Sequence, residues 1–286
     1  MQDFIPFSKR YKYINPENIL KKNYENMTPE LKIRIWNGLF KMLNYIKSKS
    51  SELFILLIQS IWDKIFKQPI NQLDENFILL GYWIERFETK YKNLDWYKVY
   101  DLIEYVSFFL KINFPHFLKI WENIINQILT EEIVPYRMIE GKIVPITNNI
   151  EIETIKEAFV KTINDKFEPV REHLEKALNH LSDRKTPDYE NCIKESISAL
   201  ESLVNILLNT QEKTLTALHQ KVCSKYKCPS FIEKQIKEYY DWASKNVRHG
   251  NIRKNNKLWQ EEAKLFLVQI TSLINYFIAK SSKFSH

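Results

Sequence analysis

The sequence predicts an all-α protein made of two helical bundles joined by a short β-hairpin. Only four of the 286 residues are glycine, whereas 44% are hydrophobic, and folds rich in sheet usually need more glycine in their turns. Apolar residues recur at helical spacing through most of the chain. The exception lies around Glu140-Gly141, where β-branched residues alternate along the chain, and this pattern is typical of strands.

The length favours two domains, because a chain of 286 residues is long enough to bury two separate cores. The change of period near Glu140 marks the boundary. We therefore predict an N-terminal helical domain over 1–132, a hairpin and linker over 133–150, and a C-terminal helical bundle over 151–286.

The N-terminal domain opens with the basic and aromatic segment 7–14. It is predicted to be a packed arm, with stacking on nucleic-acid bases as the alternative. Thr28-Pro29 then predicts a helix start, because Thr caps and Pro occupies the first helical position. Apolar periodicity predicts the further helices of this half over 54–65, from Asp74 to Phe87, 95–111 and 116–129.

The hairpin is predicted within 133–147, with its turn at Glu140-Gly141. Arg137 and Lys142 on its strands are interpreted as parts of a solvated strand face, with contact to a ligand as the alternative.

The C-terminal half is predicted to hold four to five helices in an up-and-down bundle. The first is a long helix over 152–178, bent at Pro169, with His173 and His180 on its surface. The second follows a cap at Asp188, and its small side chains would let a neighbouring helix approach closely. The others are predicted over 214–226, 231–245 and 259–278.

Composition restricts the class of protein. The formal charge of +7 and pI near 9.0 favour an anionic partner such as RNA or DNA, although mixed charges also describe an ordinary soluble surface. The three cysteines predict reduced thiols rather than a zinc site or disulfide framework. The N-terminus lacks the apolar core of a signal peptide, and no apolar run reaches membrane-spanning length, so we expect a cytoplasmic protein without membrane insertion.

The strongest candidate site is Arg248-His249-Gly250, which lies between two helical patterns. Arg presents a planar charged fork suited to phosphate, His exchanges protons near neutral pH, and Gly permits a tight turn. The same residues also suit an ordinary basic loop between helices. Glu195 and Glu201 are either solvated or hold the Arg248 guanidinium.

Six segments of the chain have a familiar sequence. They are 7–11, 31–37, 136–147, 197–202, 248–250 and 263–276. Together they resemble the AbiJ-type abortive-infection proteins, and the likeness covers nearly the whole chain. The resemblance implies an AbiJ-type N-terminal domain followed by a HEPN-like bundle, and such bundles are often dimeric, metal-independent ribonucleases. Arg248 and His249 match the opening of the HEPN motif, but Arg253, Lys254 and Asn255 stand where its downstream His is expected.

Two classes of function follow. The first is an anti-phage ribonuclease in which His249 transfers protons and Arg248 holds the phosphate, with the RNA-binding residues Lys245, Asn251, Arg253 and Lys254 and the supporting Gly250. We expect a homodimer, RNA as ligand, and a phage-derived trigger or defence-system partner. No metal or other cofactor is expected, because no residue cluster has metal-ligand spacing. The alternative is a non-catalytic HEPN-like module that binds nucleic acid, a nucleotide or a phage protein.

Overall fold

The computed structural model describes residues 26–183, 186–211, 215–248 and 260–283, and for residues 216, 217 and 248 it describes the backbone alone. These residues form twelve α-helices and one two-stranded hairpin, which confirms the predicted all-α fold. The contacts divide the chain into two compact units, Met1–Ile143 and Val144–His286. This division falls inside the segment predicted as hairpin and linker. None of the described helices is long and apolar enough to span a membrane.

In the described residues, six helices and all of the hairpin except Val144 belong to the first unit. A 3-10 turn, Ile70–Gln72, lies between the second and third helices. The helices are α1 Pro29–Lys49, α2 Ser51–Lys64, α3 Glu75–Leu79, α4 Trp83–Lys92, α5 Trp96–Asn113 and α6 Pro115–Glu131, and the strands are β1 Arg137–Ile139 and β2 Lys142–Val144.

Helix α1 begins where the sequence predicts. The Thr28 hydroxyl accepts a hydrogen bond from the Leu31 amide at 3.3 Å, and Pro29 occupies the first turn, so the cap satisfies one backbone donor that has no partner within the helix. The predicted apolar face is buried along the whole helix, at Leu31, Ile35, Leu39, Met42, Leu43 and Ile46.

Aromatic side chains fill the centre of this unit. Trp62 stacks on Phe87 with ring centroids 5.6 Å apart, and Trp83 meets the edge of the same ring at 5.0 Å. Trp121 of α6 is fully buried, and its indole N–H donates to the Ser107 hydroxyl of α5 at 3.1 Å. Because each ring buries a large apolar area, this cluster contributes much of the unit's stability.

The sequence prediction of one helix from Asp74 to Phe87 is wrong. Helix α3 ends at Leu79 and α4 begins at Trp83. Gly81 has a φ of +87°, while the Tyr82 amide donates to the Phe77 carbonyl and the Gly81 amide to the Ile78 carbonyl. These are the two hydrogen bonds of a Schellman motif, in which a left-handed glycine terminates a helix. Apolar periodicity continues through the break and conceals it.

The hairpin is present as predicted. Glu140 and Gly141 both have positive φ, 49° and 80°, which matches the two-residue turn that suits twisted antiparallel strands. Side chains of α5 and α6 form hydrogen bonds with the backbone of the hairpin and hold it in place. The Gly141 amide donates to Glu122 at 2.6 Å, the Ile143 amide to Glu104 at 2.7 Å, and Met138 exchanges two bonds with Asn126.

The interpretation of Arg137 as part of a solvated strand face is wrong. Arg137 is only 8% exposed, and its Nη1 donates to the carbonyls of Val134 and Tyr136, both at 2.7 Å. Burial lowers the pKa of its guanidinium. Lys142 is partly exposed, and its Nζ lies 3.9 Å from Oε2 of Glu104. The alternating pattern of residues in the strands does not show that Arg137 is buried and Lys142 is not, because it does not show which elements cover a strand face.

Replacing Gly141 with alanine is expected to destabilise the protein more than replacing Gly81 with alanine. Both substitutions put a side chain at positive φ, which costs about 1–2 kcal/mol. At Gly141 the new Cβ would also lie 3.0 Å from Cβ of the buried Ser107, whereas at Gly81 the nearest atom is 3.9 Å away. Overpacking then adds about 1–3 kcal/mol. Urea unfolding of the two variants tests this order, and equal destabilisation would contradict it.

The second unit contains six helices. They are α7 Asn149–Lys161, α8 Glu168–Ser182, α9 Tyr189–Leu208, α10 Leu215–Lys225, α11 Ser230–Ala243 and α12 Gln260–Lys283, together with the 3-10 turn Asp165–Phe167. Helix α9 is central, since it packs against α8, α10, α11 and α12. Asp188 caps it as predicted by accepting from the Asn191 amide at 3.0 Å. Its predicted apolar stripe is buried at Ile193, Ile197, Leu200, Val204 and Leu207.

The predicted long helix over 152–178 is two helices rather than one bent helix. Helix α7 ends at Lys161, and α8 begins with Pro169 in its first turn, where the missing amide donor of proline carries little cost. Asn164 accepts from the Lys166 amide at 2.9 Å and starts the intervening 3-10 turn. This break accounts for six helices in the described part of the unit instead of the predicted four to five.

Candidate functional site

The helix before the predicted site ends in an irregular turn. After Ala243, α11 passes into the π-helix Ser244–Arg248. Val247 faces inward and is 3% exposed, and Lys245 is exposed. The side-chain Nδ2 of Asn246 donates to the Trp242 carbonyl at 2.8 Å. A π-turn widens the helix locally and occurs frequently at functional sites. The chain therefore reaches Arg248 through a π-helical turn that the apolar periodicity did not predict.

Packing between helices places Arg248 at one end of the second unit. Tyr239 and Trp242 of α11 both contact Phe266 of α12, with ring centroids 5.2 and 5.1 Å apart. Gln235, earlier in α11, contacts Gln269, later in α12, so the two helices run antiparallel. The π-helix also packs against α9. Consequently Arg248 lies near the start of α12, on the elements that form the core of this unit.

Glu195 contacts a histidine within the described residues. Its Oε2 lies 2.6 Å from Nδ1 of His173 on α8, and both side chains are partly buried. The side chain of His173, which was predicted to lie on the surface, is partly exposed and pairs with this carboxylate. Sequence reasoning missed this pair because the two residues stand on different helices, 22 positions apart, and share no periodic signal.

Glu201 occupies a different face of α9. Its Oε1 accepts from the Leu215 amide at 3.3 Å, at the start of α10, where unpaired helix amides favour a carboxylate. A helix turns about 100° per residue, so Glu195 and Glu201 point about 120° apart. The two carboxylates therefore do not converge on one position. The Arg248 side chain is not described, so its predicted support by either carboxylate stays a prediction.

Most of the predicted site lies outside the described residues. This holds for His249, Gly250, Asn251, Arg253 and Lys254, and likewise for the predicted arm over 7–14. Of the predicted RNA-binding residues, Lys245 alone is described with its side chain, which is exposed.

The loop after Arg248 is basic. Residues 249–259 contain Arg253, Lys254 and Lys257 and no acidic residue. A net positive segment attracts polyanions and raises their local concentration.

Other chemistry is sparse in the described part of the chain. No group of three or more His, Cys, Asp or Glu residues is placed there to hold a metal ion. Cys192, Cys223 and Cys228 are free thiols, and Cys192 and Cys223 are buried.

Comparison with known families resolves the first half of the chain. The model of AbiJ N-terminal domain 4 matches residues 6–161, which is more than half of the sequence. The chain belongs to the AbiJ N-terminal domain 4 family. The match includes α1 to α6, the hairpin and α7, and an AbiJ domain indicates a role in abortive-infection defence. Helices α8 to α12, which carry the candidate site, lie beyond the matched residues.

The other comparisons add no relative. No curated protein and no solved structure matches the chain significantly. The AbiJ family match is therefore the finding on which a functional argument rests, together with the geometry of the second unit.

Proposed function

We propose that this AbiJ-family protein acts in anti-phage defence as a ribonuclease, with the second unit a HEPN-like bundle that cleaves RNA at Arg248 and His249. The observation that carries the proposal is the π-helix Ser244–Arg248, which follows α11 and ends at the first residue of the Arg-His-Gly sequence. Basic residues follow it at Arg253, Lys254 and Lys257, so an RNA backbone would meet positive charge on this loop.

The proposed reaction is transesterification within the RNA. A 2′-hydroxyl attacks the adjacent phosphorus, and the bond to the 5′-oxygen of the next nucleotide breaks. Arg248 would bind the non-bridging oxygens, because the guanidinium fork matches phosphate geometry. His249 would accept the proton of the attacking hydroxyl or donate one to the leaving oxygen. Association of two copies would bring a second Arg248-His249 pair and so provide both proton-transfer groups.

A second candidate is a binding module without catalysis. The absence of a histidine at 253–255 favours it, since the motif then lacks its second proton-transfer group. Such a module would use Lys245, Asn251 and the basic loop to sense RNA or another phosphate-containing partner.

Replacing Arg248 separates the two candidates. If the site cleaves RNA, Arg248→Ala should lower the cleavage rate of a mixed RNA pool by about 10²–10³-fold, because charge stabilisation of the transition state is lost. Arg248→Lys should fall between this variant and the wild type, since an ammonium cannot reproduce the fork. Lys237→Ala is a matched control, because Lys237 is an exposed cation on α11 and should leave the rate unchanged.

The rival function gives a different result in the same assay. The wild type would then bind RNA but show no cleavage at any pH, with or without EDTA. Arg248→Ala would weaken binding, and the slope of log affinity against log salt would decrease by about 0.7 for one lost contact with single-stranded RNA. Absence of both cleavage and RNA binding in the wild type would refute both candidates.

A further inference from the structure

The C-terminal end of α10 brings two cysteines together. The Cys228 amide donates to the Cys223 carbonyl at 2.9 Å, the Lys227 amide donates to the Ser224 carbonyl at 3.2 Å, and Lys227 has a φ of +48°. This is a second Schellman motif, with Lys227 in the left-handed position. In such motifs the side chains at the positions of Cys223 and Cys228 commonly contact one another. The backbone therefore directs the two thiols to one place.

The surroundings of the two thiols differ. Cys223 is 4% exposed, whereas Cys228 is only partly buried. Burial and the neighbouring Cys228 thiol raise the pKa of Cys223 to about 12. Burial and the same Cys228 thiol also raise the pKa of Tyr276 on α12 to about 12. Cys228 thus interacts with Cys223 on one side and Tyr276 on another, while part of its surface remains open to solvent.

We propose that Cys223 and Cys228 are a modification site at which a low-molecular-weight disulfide, such as glutathione disulfide, closes an intramolecular disulfide bond. The accessible Cys228 thiolate attacks one sulfur of the reagent, and one glutathione leaves as a thiolate that takes up a proton. The Cys223 thiolate then attacks the Cys228 sulfur of the mixed disulfide and releases the second glutathione. The two protein thiols are oxidised, and one glutathione disulfide is reduced to two glutathione molecules.

Local geometry favours closure of the ring over a lasting mixed disulfide. The Schellman motif places Cys223 next to Cys228 before any reagent arrives, so the second step requires little search by the chain. The end of α10 is also anchored to α9, because Lys225 Nζ donates to the Leu207 carbonyl at 2.6 Å. The bond would join the end of α10 covalently to the residue before Pro229. This modification does not depend on RNA cleavage.

The third cysteine provides an internal control. Cys192 is fully buried on α9, and its Sγ lies 3.9 Å from the Ala263 carbonyl. Unlike Cys223, it has no partly exposed cysteine beside it in the described part of the chain that could first react with the reagent. Cys192 should therefore stay reduced while the folded protein reacts.

The test is treatment of the folded full-length protein with glutathione disulfide, followed by intact-mass and peptide analysis. The expected product has lost two hydrogens, contains a peptide cross-link between Cys223 and Cys228, and returns to its original mass with dithiothreitol. Cys192→Ser should give the same product. Cys223→Ser should retain one glutathione on Cys228, and Cys223→Ala repeats this test if the serine variant misfolds.

Two results would overturn the proposal. One is a wild-type protein that keeps glutathione on Cys228 without forming the cross-link, which would mean that Cys223 cannot reach it. The other is full alkylation of both residues by a thiol reagent after unfolding of the treated protein, which would mean that neither thiol had reacted.

Discussion

Replacing His249 with alanine is expected to lower RNA cleavage by about 10²–10⁴-fold, which is the usual contribution of a proton-transfer group. RNA binding should change little, because Arg248 and the basic residues of 249–259 remain. In the pH–rate profile of the variant, the change of rate that depends on protonation of His249 should be absent. Single-turnover cleavage of a mixed RNA pool, with the wild type and the variant purified side by side, measures the effect.

A histidine elsewhere in the same unit provides the control. His180 lies on α8 and is partly buried, so His180→Ala removes an imidazole that has no part in the proposed reaction and should leave the cleavage rate unchanged. Equal rates for the wild type and His249→Ala would show that His249 is not catalytic.

Replacing Trp121 with alanine is expected to destabilise the protein by about 3–5 kcal/mol. Trp121 is fully buried in the first unit, and its indole N–H donates to the Ser107 hydroxyl and the Ile103 carbonyl, at 3.1 and 3.3 Å. The substitution opens a cavity and removes a buried donor that satisfies these groups. Urea unfolding of the full-length protein, followed by circular dichroism, measures the loss.

The neighbouring Ile120 supplies the matched comparison, because it lies on the same helix but is 41% exposed. Ile120→Ala should cost less than about 1 kcal/mol. If Trp121→Ala also lowers the free energy of unfolding by less than about 1 kcal/mol, the first unit tolerates the loss of the ring. That result would contradict the close packing around Trp121.

Much of the fold could be predicted from the sequence, because the preferences of residues for helix caps and turns agree with the structure. Thr28 and Asp188 begin helices where capping chemistry predicts, and Glu140-Gly141 forms the expected turn. The failures occurred where apolar spacing continued across a break. Gly81 and the segment around Asn164 both terminate helices inside runs that look continuous.

Less of the candidate site could be predicted from the sequence. Arg248, His249 and Gly250 could be selected because their chemistry is unusual in a loop, but the π-helix before them has no periodic signal. The partner of Glu195, His173, is determined by the packing of α8 on α9. The contact of Cys223 with Cys228 depends on the left-handed Lys227, a conformation that a lysine seldom adopts and that sequence spacing does not show.

The sequence by itself determined the all-α class, the hairpin, the capped helix starts and the AbiJ resemblance, because these depend on spacing and on residues close together in the chain. Tertiary structure alone decided that Arg137 is buried and that Glu195 and Glu201 have separate partners. The physical reason is that burial and partner choice depend on which elements cover a given face. That is a property of the packed chain, and no local window of sequence contains it.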